Sequence, residues 1–230
     1  MKNNTLIQMS NLGVIHKNNK ILKNINLQID YGEFVFFIGE SGSGKTTLIE
    51  LIQGRRMYNT GSLIINNKEF SQYNYKELQD LRKQMGIIFQ DTRLIEEWTV
   101  FENLSYKLEC LGHEASLIQS EIEKVTLDLG VNSNIKSLPI HLSGGEQQRV
   151  NIARAILGNP KIIIADEPTS NLDETSSKKV FRILKRMNEL GSTVIMSTHD
   201  PKFIEESNYR VVKLTKGEKV YDQLSSDYFI

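Results

Sequence analysis

Eight residues, Gly39-Glu40-Ser41-Gly42-Ser43-Gly44-Lys45-Thr46, follow the apolar run Phe34 to Ile38 and precede a helical pattern from about Lys45. Glycines at this spacing let the backbone curl until several N–H groups face one centre. With a helix start behind them they make a nest for phosphate oxygens. Lys45 would add positive charge to the β and γ phosphates of a nucleotide, the Thr46 hydroxyl would ligate Mg2+, and Thr47 joins the same nucleotide-binding set. The plainer reading is a glycine-rich turn without a ligand. At average residue frequencies the bare pattern arises about once in a hundred chains of this length, and the strand–loop–helix setting makes it rarer. A second cluster is Ile162-Ile163-Ile164-Ala165-Asp166-Glu167, an apolar strand that delivers two adjacent carboxylates at its C-terminal end. Asp166 would hold Mg2+, directly or through water, and Glu167 would polarise the attacking water as general base. Alone this cluster is weak evidence; beside a phosphate loop it is strong.

Leu142-Ser143-Gly144-Gly145-Glu146-Gln147-Gln148-Arg149 reads first as a capping box, Ser143 with Glu146, opening a helix whose glycines expose backbone N–H groups. It also resembles the signature sequence of the ABC ATPases. The resemblance extends in order through Gln90 (the Q-loop glutamine, near Mg2+ and attacking water), Ser170-Asn171-Leu172-Asp173 (the D-loop) and His199 (the switch histidine at the γ-phosphate). It implies that Mg·ATP is bound and hydrolysed between two copies of the chain, the phosphate loop of one facing Ser143, Gly144, Gly145 and Glu146 of the other. One departure stands out: where many members stack an aromatic on adenine, the matching region is Val14-Ile15-His16-Lys17, with Ile15 at the aromatic position. His16, His113 and His141 read as ordinary structural histidines.

These residues need elements to hold them. Thr5 to Met9 and Leu22 to Ile29 read as strands around a polar turn at His16 to Lys20, and Phe34 to Ile38 as a buried strand. Further strands are expected at Ser62 to Ile65, Gly86 to Phe89, Ile162 to Ala165, Thr193 to Ser197, Arg210 to Leu214 and Lys219 to Tyr221. Helices are expected at Lys76 to Gln84, across Val100 to Leu129 with a break near Gly112, after Ser143, over Ser176 to Leu190 and near Lys202 to Glu206. Alternation of strands and helices predicts an α/β fold with a mostly parallel sheet. The resemblance makes this a P-loop NTPase of the ABC type: one domain over 1–230 with a RecA-like core, an antiparallel N-terminal β layer and a helical subdomain at about 91–158. The asparagine patches Asn18-Asn19, Asn66-Asn67 and Asn132 to Asn134 read as turns.

The 230 residues suffice for one α/β domain with a sizeable core. With 28 basic and 28 acidic residues the formal net charge is zero, which disfavours a nucleic-acid partner. The single cysteine, Cys110, fits a reducing compartment and is expected as a small buried hydrophobe. The Met1-Lys2-Asn3-Asn4 start does not read as a signal core, and no apolar run approaches the ~20 residues of a membrane span. The expected location is therefore cytoplasmic, at the inner face of a membrane through a partner.

Among single-unit ABC ATPases the chain most resembles the cell-division group FtsE, through Arg82-Lys83-Gln84-Met85-Gly86-Ile87-Ile88-Phe89-Gln90-Asp91 and Arg93-Leu94. Ser170 stands where these groups usually have glycine. The resemblance implies an integral membrane partner, an FtsX-like permease, and an output in septal cell-wall hydrolysis. The alternative is the ATPase subunit of a lipoprotein-release or macrolide-type exporter. Arg93, Leu94 and Trp98 would line the partner's groove by analogy, Trp98 being as readily a core residue. DNA-repair and translation ABC proteins carry long coiled coils or tandem units that 230 residues do not hold. The presence of both Glu167 and His199 argues against a non-hydrolysing scaffold.

Overall fold

The computed structural model describes residues 4–225; the reading of Met1 to Asn3 and any reading of 226–230 lie outside the described residues. In chain order the elements are β1 (Thr5–His16), β2 (Asn19–Asp30), β3 (Phe34–Ile38), α1 (Lys45–Ile52), β4 (Thr60–Ile65), β5 (Lys68–Glu69), α2 (Tyr75–Lys83), β6 (Met85–Ile88), α3 (Val100–Cys110) and α4 (Ala115–Leu129). Then come α5 (Gly144–Ile156), β7 (Ile162–Asp166), α6 (Glu174–Glu189), β8 (Thr193–Ser197), α7 (Pro201–Glu205), β9 (Arg210–Thr215) and β10 (Glu218–Leu224). They fall into two compact units, one formed by the residues up to Arg82 with those from Thr193 onward, the other by Lys83–Ser192.

The first unit carries the antiparallel layer β2-β1-β4-β5. Its strands alternate: Leu22, Ile25, Leu27 and Ile29 are buried while their neighbours are not. β1 runs on to His16 rather than ending at Met9. The ladder survives a register shift between Met9 and Leu12 because Asn11, at φ 49°, bulges out and its N–H donates to Asn26 Oδ1 at 3.0 Å. The expected polar turn narrows to Lys17 and Asn18, both at positive φ, which is the two-residue geometry whose twist suits a hairpin; Asn66-Asn67 repeats it between β4 and β5. Asn132–Asn134 instead makes a single 3-10 turn. The unit's other strands lie in the order β10-β9-β3-β8, with β3 parallel to both neighbours and β10 antiparallel. β3 and β8 are buried at every residue, as a strand covered on both faces requires.

In the second unit β6 and β7 pair in parallel, Met85 opposite Ile162 through Ile88 opposite Ala165. Ile162, Ile163, Ile164 and Ala165 are almost wholly buried; cutting one isoleucine back to alanine would cost about 2–5 kcal/mol. α3 opens on a complete capping box, Thr99 with Glu102, and α4 closes on Gly130 in the left-handed region. α6 is capped by Asp173 and buries Val180, Phe181, Leu184 and Met187, one stripe at helical spacing. Cys110 departs from expectation. It is exposed, because α3 turns Val100, Asn103, Leu104 and Leu108 inward and Cys110 falls off that face.

Candidate functional site

In the first unit, Gly39 to Thr46 leaves the C-terminal end of β3 and turns directly into α1. Gly44 is the N-cap at φ 108° and offers no side chain to the helix start, so the first N–H groups of α1 stay available to an anion. Gly39, at φ 144°, lies where a β-carbon would collide with the Leu214 carbonyl oxygen. The Lys45 ammonium reaches back over the loop and donates to the Gly39 carbonyl at 2.6 Å and the Glu40 carbonyl at 3.2 Å. Ser43 is buried, and its hydroxyl has no hydrogen-bond partner among the described residues. An orphaned hydroxyl inside a loop of N–H donors, beside an ammonium, suits phosphate oxygens as the missing acceptors.

His199 follows β8. The Thr198 N–H donates to the Phe37 carbonyl at 3.2 Å, and Phe37 pairs with Ser197. The Gly39 to Thr46 loop and His199 therefore emerge from the carboxyl ends of two neighbouring parallel strands, where open α/β sheets bind ligands. His199 is exposed, and Asp200 behind it caps α7 through Lys202 N. Ile15 is 43% exposed near the end of β1, and its N–H donates to Asn59 Oδ1 at 2.7 Å. It lies one residue beyond Val14, which pairs with Leu22, the side chain under Gly44.

The second unit repeats the arrangement. Gln90 follows β6, Asp166 ends β7, and Ile88 pairs with Ala165, so Gln90, Asp166 and Glu167 also leave the carboxyl ends of adjacent parallel strands. Glu167 has φ 48°, a left-handed conformation that costs a non-glycine residue of order 1–3 kcal/mol. The turn is closed by the Ser170 N–H, 3.3 Å from the Glu167 carbonyl, and by the Ser170 hydroxyl, which donates to the same oxygen at 3.1 Å. Nothing in the sequence pattern signals that conformation or that second bond.

Ser143 opens α5 with a full capping box. Its Oγ accepts from Glu146 N at 3.3 Å, and the Glu146 carboxylate accepts from Ser143 N at 2.9 Å. The Ser143 hydroxyl, its main-chain N–H and the Asn134 amide together hold the Glu146 carboxyl below the usual range. Ser143 and Gly144 are exposed, leaving a second glycine-opened helix start. Trp98 is half-buried and meets Tyr106 edge-on, ring centroids 5.4 Å apart. The Arg93 guanidinium lies 4.3 Å from the Phe89 ring centroid.

The family model described as "ABC transporter" matches residues 22–170. The chain is 38% identical over 209 residues to the cell division ATP-binding protein FtsE of Bacillus subtilis (strain 168), covering 91% of this chain and 92% of that protein. It is 36% identical to the methionine import ATP-binding protein MetN of Clostridioides difficile (strain 630), over 93% of this chain and 67% of that one. The fold superposes on the ATP-binding cassette MJ0796, solved as a post-hydrolysis dimer bound to ADP and Pi, with a TM-score of 0.88 and 31% identity over 96% of this chain and 99% of that one. The chain belongs to the ABC transporter family, as one of its ATP-hydrolysing cassettes.

Proposed function

We propose that the chain hydrolyses Mg·ATP between two copies of itself and passes the resulting motion to an integral membrane partner. One observation carries the reading: the chain presents two glycine-opened helix starts, α1 behind Lys45 and α5 behind Ser143, each suited to phosphate oxygens. One grips the β and γ phosphates of ATP bound to its own copy, through Gly39 to Thr47. The other, Ser143 to Glu146, faces the γ-phosphate held by the partner copy. The MJ0796 dimer with ADP and Pi supports this pairing by analogy.

A water oxygen attacks the γ-phosphorus, the bond to the β–γ bridging oxygen breaks, and ADP leaves. Glu167 takes the water's proton, while Lys45 and His199 stabilise charge on the transferred phosphoryl group. Mg2+ is assigned by residue type: Thr46, Gln90 and Asp166 each carry a hard oxygen, and among the described residues no cluster of three His, Cys, Asp or Glu forms a resident cage. The ion would arrive with the nucleotide and neutralise β- and γ-oxygen charge. Ile15 takes the adenine face with an aliphatic contact.

Among the described residues no helix is long and apolar enough to cross a membrane. FtsE relatives at 36–39% identity favour an FtsX-like partner and an output in cell division and septal cell-wall hydrolysis. The half-buried Trp98 and the exposed Arg93 would lie at its docking face. Glu167→Gln with Mg·ATP should run as a stable dimer in size-exclusion chromatography with light scattering, with little turnover. A strict monomer, with the membrane partner also present, overturns the two-copy mechanism. Affinity capture from detergent-solubilised membranes should return an FtsX-like permease; an exporter subunit in its place would reassign the output.

A further inference from the structure

α5 is buried nearly all round, and two of its innermost side chains are polar: Gln148 is 2% exposed and Asn151 0%. A helix packed against β6 needs only apolar residues there, and a buried amide costs about 1–3 kcal/mol unless hydrogen-bonded. Both amides are bonded, to main-chain carbonyls outside the helix. Gln148 Nε2 donates to the Pro168 carbonyl at 3.1 Å, one residue past Glu167. Asn151 Nδ2 donates to the Phe89 carbonyl at 2.9 Å, one residue before Gln90, and to Gln148 Oε1 at 3.3 Å. One turn on, the Arg154 guanidinium donates to the Thr92 carbonyl at 2.8 Å, the Arg93 carbonyl at 2.9 Å and Asn151 Oδ1 at 3.3 Å. Burial holds the Arg154 guanidinium below its usual range, a cost the three acceptors offset.

These bonds form one continuous chain: Pro168 carbonyl, Gln148, Asn151, Arg154, with branches to Phe89, Thr92 and Arg93. The carbonyls bracket Gln90 on both sides, in a stretch past the end of β6 where ladder bonds have stopped. The same helix begins at Ser143 and Gly144, the exposed anion-binding start. We infer that Gln148, Asn151 and Arg154 are positioning residues. They fix the backbone that carries Gln90 and the turn that carries Glu167 to one rigid helix, so that a phosphate engaged at Ser143 and Gly144 sets both groups together. The inference rests on the roles proposed above for Gln90 and Glu167. Buried amide networks of this kind have discrete arrangements rather than a graded response, which suits a coupling element.

The test is steady-state Mg·ATP turnover of the full chain. Asn151→Asp keeps the shape and the acceptor for Arg154 but removes the donor to Phe89 and Gln148. A displacement of about 1 Å at reacting groups costs on the order of 100-fold, so kcat should fall about 10- to 100-fold while KM for ATP stays within about threefold. In a Gln90→Ala background the same change should cost clearly less than in the parent chain, since the part that acts through Gln90 is gone and only the part that acts through the Glu167 turn remains. Full additivity with Gln90→Ala, or wild-type kcat, overturns the inference. If Asn151→Asp does not fold, Arg154→Lys decides by the same two measurements: it keeps the charge but cannot bridge two carbonyls in a fork. Turnover surviving in Glu167→Gln would overturn the proposed chemistry instead. A dead Glu167→Gln beside an additive Asn151→Asp sinks the coupling alone.

Discussion

The hydroxyl of Ser170 donates to the main-chain carbonyl of Glu167 across a distance of 3.1 Å, inside the turn that holds Glu167 at a positive φ. The Ser170 N–H lies 3.3 Å from the same carbonyl, so the side chain adds a second bond from one residue to this turn. An exposed hydrogen bond contributes about 0.5–1.5 kcal/mol net. Ser170→Ala is therefore expected to lower kcat about 2- to 5-fold, with KM for ATP nearly unchanged and the unfolding midpoint lower by about 2–4 °C. Single-turnover ATP hydrolysis with quench-flow checks it. An unchanged rate would show that the Ser170 hydroxyl has no part in holding Glu167 for catalysis.

Ile15 should set how sharply the base is read. Its side chain is 43% exposed beside the strand that supports Gly44, and an aliphatic surface contacts adenine and guanine about equally. Aromatic stacking on a base is worth about 1–3 kcal/mol. Ile15→Tyr is expected to tighten ATP binding at least about fivefold, and the parent chain to bind GTP within about tenfold of ATP. Titration with fluorescent analogues of both nucleotides measures it. Sharp rejection of GTP by the parent chain would place base recognition elsewhere.

The backbone of the Gly39 to Thr46 loop and the capped start of α5 could be read from the sequence because each is built from consecutive residues whose types alone impose the geometry. Gly39 and Gly44 do adopt φ values that other residues avoid, and Ser143 with Glu146 does close a capping box. The strands β3, β7 and β8 were legible because burial on both faces leaves uninterrupted apolar runs. What escaped depends on partners far along the chain. Asn11 holds β1 through a bulge only because Asn26 lies opposite. The amides of Gln148 and Asn151 serve carbonyls 20 and 62 residues away, and a carbonyl is the same whatever residue carries it, so no pattern marks the pairing. Cys110 misled because its residue type favours burial while its place on α3 does not. The compact units divide at Arg82/Lys83 and Ser192/Thr193, with β6, β7 and α6 in the same unit as α3, α4 and α5.

Lys107 should leave a signature in the pH dependence of stability. Its ammonium is largely buried and donates to the Met85 carbonyl at 3.0 Å; burial, then the nearby Arg154 charge, lower its pKa from 10.5 to about 8. Between these values the unfolded chain binds more protons than the folded one, so stability rises with pH across that window and is independent of this group below it. Lys107→Met keeps the stem and removes the charge. Urea unfolding at steps from pH 7.5 to 10.5 should show the parent chain gaining stability relative to the variant. Parallel curves would mean that the ammonium stays fully solvated.

The sharpest separation of binding from folding falls on Ser43. A buried hydroxyl without an acceptor or donor carries an uncompensated desolvation penalty of about 1–3 kcal/mol. Removing the oxygen removes the penalty, so Ser43→Ala is expected to raise the nucleotide-free unfolding free energy by about 1 kcal/mol. The same hydroxyl is proposed to meet a phosphate oxygen, so the variant should bind ATP about 3- to 10-fold more weakly. The two effects have opposite signs in one protein, and thermal unfolding with and without Mg·ATP reads both: the variant starts higher and gains less from nucleotide. A residue kept only to shape the loop would lower both curves together, and that result would take Ser43 out of the phosphate site.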